Sequence, residues 1–288
     1  MVNLYGTLSI PTGGGSGGED QLAKMATTAG SSADNPAVVE LKTGSAEILG
    51  IGAYFRNSGS ADSAATPSSS SLSGITPRFC KIKLQKETTK IDDDAFACMI
   101  GLTEIEADVD NPVDIGARAF YCCPNLKTVG NLWNKLKTCK ANSFATRNGG
   151  NALFELNRDV IAQEFEGIAD NSSYAFNRAG FKSFTAPKCK NLGTYAFANC
   201  ANLKTADFTV LTTIPTAAFY NCANLTDLYL RGNMVCELET AQAFTGTPAM
   251  NNPSTFTLHV KAELVESYKY AMPLWSNFYS SGINIVAI

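Results

Sequence analysis

The chain has one histidine, no Cys-x-x-Cys pair, no apolar run of membrane length and no cluster of basic residues. Each absence removes a class of function. A hydrolase built on a nucleophile and an imidazole needs a histidine beside the nucleophile, and only His259 is available. Nucleic-acid binding needs clustered Lys and Arg to displace counterions, whereas the formal charge here is −3. A membrane-spanning helix takes about 18 or more consecutive apolar residues, and none occur. The N-terminus shows neither the basic region nor the apolar core of a secretory leader. Gly13 to Gly18 is followed by Glu19-Asp20, not by the Gly-Lys-Ser/Thr of a phosphate-binding loop, so it reads as a flexible linker. Asp92-Asp93-Asp94 lacks the glycine and distal glutamate of a calcium loop and suits the capping of a helical turn. No metal, cofactor or catalytic residue is expected.

What the chain does have is repetition. Ala196-Phe197-Ala198-Asn199-Cys200-Ala201-Asn202-Leu203 returns as Ala218-Phe219-Tyr220-Asn221-Cys222-Ala223-Asn224-Leu225, and an earlier copy is Ala119-Phe120-Tyr121-Cys122-Cys123-Pro124-Asn125-Leu126. The anchors are Phe96, Phe120, Phe144, Phe176, Phe197, Phe219 and Phe244, at spacings of 24, 24, 32, 21, 22 and 25. A period of roughly 20–29 residues with recurring Leu and Asn/Cys positions predicts a leucine-rich-repeat solenoid. The step from Phe144 to Phe176 carries an insertion. Five residues before each anchor stand Ile91, Ile115, Cys139, Asn171, Leu192, Ile214 and Glu239, apolar in five of seven cases.

The nine cysteines follow the same pattern, with Cys123, Cys200 and Cys222 each three residues after an anchor. They read as small buried hydrophobes rather than as a disulfide framework or metal ligands. Charged residues make up 17% of the chain and apolar ones 45%, which suits a foldable chain with a neutral polar surface.

Residues 1–47 fall outside the repeat and read as an N-terminal arm or tether, with a short helix over Glu19 to Ala29 and a strand at Val38 to Leu41. Residues 48–262 form the solenoid, beginning with a worn copy at Ile51 to Asn57. Ser58 to Ser73 is a Ser/Ala-rich insertion with no core-forming power; the rival reading is a linker between separate domains. Residues 263–288 form a cap. Leu264, Val265, Tyr268 and Met272 fall at helical spacing, Pro273 ends that helix, Trp275 and Phe278 cover the last coil, and Ile283 to Ile288 closes as a strand.

One unit cannot bury its own apolar face, but stacked units can. Leu225-Thr226-Asp227-Leu228-Tyr229-Leu230 alternates with period two, so Leu228 and Leu230 point inward. The same parity projects outward Glu104, Glu106, Thr128, Ser183, Thr185, Thr205, Asp207, Asp227, Tyr229, Thr257 and His259. Stacked strands gather these into one stripe on the sheet face, where solenoids generally bind.

Ile115-Gly116-Ala117-Arg118-Ala119-Phe120 through Leu126-Lys127-Thr128-Val129 resembles the BspA-like leucine-rich repeat, and Val260 to Lys269 resembles the segment that commonly ends such arrays. The likeness covers about residues 80 to 288. It implies a non-enzymatic surface or secreted protein that binds a host or cell-surface protein or a glycan. Related repeats also occur in phage proteins, which implies an alternative: a virion component with residues 1–47 docked onto an assembly partner.

Overall fold

The computed structural model describes residues 37–40, 47–48, 80–84, 86–93, 95–97, 102–123, 125–145, 154–169 and 173–288. The expected helix over Glu19 to Ala29, the worn repeat at Ile51 to Asn57 and the tract from Ser58 to Ser73 lie outside them.

The chain winds into stacked coils with three sides, each side hydrogen-bonded to the same side of the next coil. One side carries β1 (Ala37–Glu40), β3 (Cys80–Leu84) and β5 (Leu102–Ala107), then β8 (Asp159–Ile161), β10 (Ser183–Ala186), β11 (Thr205–Phe208), β13 (Asp227–Leu230), β15 (Thr257–Val260) and β16 (Asn284–Ala287). The second side carries shorter strands: β2 (Glu47–Ile48), β4 (Lys90–Ile91), β6 (Val113–Ile115), β7 (Leu136–Cys139), β9 (Gly167–Ile168), β12 (Thr213–Ile214) and β14 (Glu237–Leu238). Every pairing is parallel. Single bridges through Asn191 join β9 to β12 on this second side.

The third side is the turn that holds the anchor phenylalanine. Its backbone N–H donates to the residue before the next anchor: Phe96 to Ala119 at 2.8 Å, Phe120 to Ser143 at 2.7 Å, Phe197 to Ala218 at 2.8 Å and Phe219 to Ala243 at 2.9 Å. Residues two before and two after the anchor also donate to the next coil, as Tyr195 does to Thr216 and Asn199 to Tyr220. Both adopt left-handed backbone, with φ of 55° at Tyr195 and 59° at Asn199. The same holds at Arg118, Cys122, Tyr174, Arg178 and Asn221. Left-handed backbone costs a non-glycine residue on the order of 1 kcal/mol, and the ladder it completes offsets that strain.

The phenylalanine rings form one continuous column. Adjacent centroids are 5.1 Å apart for Phe96–Phe120 and Phe120–Phe144, 5.7 Å for Phe144–Phe176, 5.2 Å for Phe176–Phe197, 5.5 Å for Phe197–Phe219 and 5.7 Å for Phe219–Phe244. All seven rings are buried. The thiols fill corners beside the column: Cys123 Sγ donates to Phe96 O, Cys200 Sγ to Phe176 O and Cys222 Sγ to Phe197 O, at 3.0–3.2 Å. Cys122, Cys123, Cys139, Cys189, Cys200, Cys222 and Cys236 are all buried. Gly116 of the Ile-Gly pair has a steric cause, because a Cβ there would sit 2.3 Å from the backbone nitrogen of Asp93 in the preceding coil.

Several expectations need correction. The boundary at residue 47 falls among paired strands, because β1 already aligns with β3 and β2 with β4. In two coils the apolar residue ahead of the anchor is Ile168 rather than Asn171, and Leu238 rather than Glu239; both coils hold extra residues between strand and turn. The cap is not one helix ended by Pro273. The chain makes a tight turn at Ala262–Leu264 and a wide one at Ser267–Ala271, and Pro273 then begins a second helix, α2 (Pro273–Ser280), at the first helical position, where proline is favoured. The short α1 (Pro248–Asn251) precedes β15. Trp275 and Phe278 close the column as expected, 5.8 and 5.6 Å from Phe244.

Candidate functional site

Six strands in register, β8-β10-β11-β13-β15-β16, make the broadest surface of the coil stack. Their inward residues, such as Phe184, Ala206, Leu228 and Leu258, are buried, which leaves two outward rows. One row runs Asp159, Ser183, Thr205, Asp227, Thr257, Asn284; the other runs Ile161, Thr185, Asp207, Tyr229, His259, Val286.

The second row contains a three-layer stack. The rings of Tyr229 and His259 lie 4.0 Å apart and 4° from parallel. The guanidinium carbon of Arg231 sits 4.8 Å from the Tyr229 centroid. Arg231 also grips Asp207 bidentately, with Nε 2.8 Å from Oδ1 and Nη2 2.8 Å from Oδ2. His259 Nε2 lies 2.8 Å from Asp227 Oδ1. A carboxylate only accepts, so the imidazole carries a proton on that nitrogen. Asp227 Oδ2 accepts from the Thr226 hydroxyl at 2.8 Å. Each acid is therefore paired and each ring held in place. In the first row, the Ser183 hydroxyl and then Lys182 Nζ bond to Asp159, and these bonds hold its carboxyl below the usual aspartate range.

Eight of the eleven residues expected on the stripe share this six-stranded sheet: Ser183, Thr185, Thr205, Asp207, Asp227, Tyr229, Thr257 and His259. Glu104 and Glu106 project from β5 on a separate three-stranded sheet and share Lys81, at 3.1 and 3.5 Å. Thr128 is not on the surface. It is 7% exposed, and its hydroxyl donates at 2.7 Å to Glu155 Oε1. The same oxygen accepts from the Val129 backbone at 3.0 Å and from Trp133 Nε1 at 2.8 Å. The chain after Thr128 turns into a short 3₁₀ helix (Gly130–Asn134) instead of extending a strand. The inserted segment supplies Glu155 at this point, and the stripe is broken there.

Arg231, Asp159, Ile161, Asn284 and Val286 belong to the surface but were not foreseen. Arg231 shares the parity of Asp227 and Tyr229, so extending the alternation by one step finds it. A one-residue slip flips every side chain, and neither β8, which follows an insertion, nor β16 offers an anchor to fix its register. Beside the stack, the corners after β11 and β13 frame a cleft of roughly 680 Å³ lined by Thr209, Leu211, Arg231, Met234, Glu237 and Lys261 among others. Among the described residues, no helix is long and apolar enough to cross a membrane, and no three His, Cys, Asp or Glu side chains cluster as a metal site.

Residues 68–165 and 160–256 match the family model "BspA type Leucine rich repeat region" in six copies. No curated protein matches the chain. Among solved structures, the pneumococcal vaccine antigen PcpA is 13% identical, covering 75% of this chain and 81% of that one, with a TM-score of 0.27. A leucine-rich cell surface protein from Faecalibacterium prausnitzii is 16% identical, covering 62% and 60%, with a TM-score of 0.30. A leucine-rich repeat protein from Bacteroides ovatus is 15% identical, covering 72% and 83%, with a TM-score of 0.17. At such values nothing about ligand or partner passes from these proteins to this chain.

Proposed function

The chain belongs to the BspA-type leucine-rich repeat family, and from that footing we propose that it is a non-enzymatic recognition module of a cell surface or the extracellular space. It binds a protein or glycan through the outer face of the six-stranded sheet. The observation that carries this reading is the Arg231–Tyr229–His259 stack with its two paired carboxylates. Tyr and Arg dominate binding hot spots, and side chains already immobilised lose little entropy when a partner arrives. Both ring faces of Tyr229 are covered, so the phenol offers its edge and hydroxyl rather than a stacking platform for a sugar. That favours a protein partner over a glycan.

The test is capture on arrays of immobilised matrix proteins and glycans, comparing the wild type with Tyr229→Ala/Asp227→Ala. The proposal expects at least a tenfold loss of capture while the melting temperature stays within a few degrees. Equal capture by a folded double variant moves the binding surface off this sheet and overturns the reading.

A further inference from the structure

The cleft beside the stack exists because two neighbouring corners differ in length. Residues 209–212 join β11 to β12, whereas residues 231–236 join β13 to β14, six residues against four. The longer corner stands out as a lip, and Met234 on it is 73% exposed. Val210 lines the cleft from the shorter corner and is also exposed. The space between them, roughly 680 Å³, falls within the roughly 300–1,000 Å³ of ligand pockets.

The charged groups of this cleft are unevenly partnered. Arg231 and Lys261 follow directly on Leu230 and Val260, which pair across β13 and β15, so the two cations stand on adjacent coils. Asp207 holds Arg231 through Nε and Nη2, which leaves the Nη1 hydrogens for another acceptor. Lys261 Nζ donates to a neutral amide, Asn233 Oδ1, whereas Lys81, Lys182 and Lys188 each meet a carboxylate. Glu237, where β14 begins, also lines the cleft and is exposed. Among the described residues, no ion pair joins it to either cation.

An apolar rim beside two adjacent cations calls for a ligand that joins an aliphatic group to an anion. One carboxylate suits it better than a phosphate or a polysulfated chain, because Glu237 in the same cleft repels each further negative charge. A uronic acid brings the carboxylate without the aliphatic group.

We propose that this cleft receives an acidic side chain of a partner protein, with an aliphatic residue next to it. The carboxylate sits between Arg231 Nη1 and Lys261 Nζ, and the aliphatic group packs on Val210 and Met234, whose unbranched side chain adapts to its contacts. The ligand then replaces the Asn233 amide at Lys261 with an ion pair, the stronger kind of hydrogen bond. This assignment rests on the sheet face being a protein-binding surface and extends it. Arg231 belongs to both, so a segment lying across Tyr229 and His259 reaches the cleft without a break.

Titration of the full chain with the acetylated and amidated tetrapeptide Ala-Glu-Leu-Ala, followed by amide chemical shifts, tests this. The proposal expects saturable shifts at residues 209–213 and 231–237, with a dissociation constant below about 1 mM. Replacing the peptide's Glu by Gln, or its Leu by Ser, weakens binding at least fivefold. Lys261→Met, which keeps the stem and removes the charge, does the same, and Glu237→Gln tightens binding. Absence of saturable shifts, equal affinity for the Glu and Gln peptides, or binding unchanged in folded Lys261→Met and Glu237→Gln overturns the proposal. So does a galacturonic acid trisaccharide that binds the cleft more tightly than the peptide. Should Lys261→Met fail to fold, the peptide series decides alone. Peptide binding reads the cleft and array capture reads the stack, so the two readings fail separately. No peptide binding, with capture still lost in Tyr229→Ala/Asp227→Ala, overturns the cleft alone. Peptide binding, with capture unaffected by that double variant, overturns the role of the stack alone.

Discussion

The imidazole of His259 lies flat on the ring of Tyr229, 4.0 Å between centroids, although 30 residues separate them in the chain. Parallel register alone brings them together, since Tyr229 and His259 are direct partners across β13 and β15. With Arg231 on the other ring face, the phenol is clamped from both sides. Removing the clamp therefore has a measurable effect without any ligand. Arg231→Ala should lower stability by about 0.5–1 kcal/mol, the usual worth of a cation over an exposed aromatic, and should leave Asp207 unpaired. A double-mutant cycle with Tyr229→Leu, read by thermal unfolding, should give non-additive losses. Strict additivity would mean that the guanidinium and the phenol do not interact.

Glu155 should be the least replaceable polar residue of the array. It is 1% exposed, and a single carboxylate oxygen accepts from Thr128, Val129 and Trp133. Glu155→Ala orphans three donors in a dry interior and should cost about 3–5 kcal/mol. Glu155→Gln keeps an acceptor oxygen and should cost about 1 kcal/mol. Comparable melting temperatures for the two variants would show that the insertion holds this coil by packing alone.

Gly116 tests how closely the coils approach. Gly116→Ala drives a Cβ into the Asp92–Asp93 backbone, 2.3–2.4 Å away, and should destabilise by about 1–3 kcal/mol through overpacking. At Gly232 the nearest atom to an added methyl would be Thr209 O at 3.2 Å, so Gly232→Ala should cost less. Chemical denaturation of the two variants side by side gives the ranking, and the reverse order would mean that the preceding coil yields easily.

Burial pushes the Cys189 thiol up to about 12, and burial also raises Cys139, Cys200 and Cys236. A thiol whose folded value lies above its unfolded value contributes stability below about pH 9. That contribution declines as pH rises, because the unfolded chain then releases protons that the folded one retains. Melting temperature should fall between about pH 9 and pH 12. Below that window the buried thiols of Cys139, Cys189, Cys200, Cys222 and Cys236 should react with a disulfide reagent only when denaturant is added. Fast labelling of Cys189, Cys200 or Cys222 in the native protein would contradict this burial.

The column of phenylalanines was legible because an anchor recurring at near-constant spacing admits one stacking, and Phe96 to Phe244 obey it. The sheet-face parity around Asp227 and Tyr229 was legible for the same reason: Leu228 and Leu230 fix which way each neighbour points. Counting backward from the anchor failed at Asn171 and Glu239 because it assumes coils of equal length, and these two coils hold extra residues. Thr128 failed because an insertion distant in sequence supplied Glu155 and drew the hydroxyl inward. The left-handed turns at Arg118 and Tyr195 carry no glycine to signal them; the ladder between coils imposes the conformation, not the residue's own preference.

Because the N–H groups of Phe96, Phe120, Phe144, Phe176, Phe197 and Phe219 each donate to the coil directly after their own, the described coils behave like a stack of plates closed at one end by the cap. Duplicating residues 197–218, one whole plate, would carry the cap and β16 outward by about 4.8 Å, the spacing of neighbouring strands, and leave every other contact as it was. Reach is thus a quantity the gene can change in single increments, independently of whatever chemistry is written on the sheet.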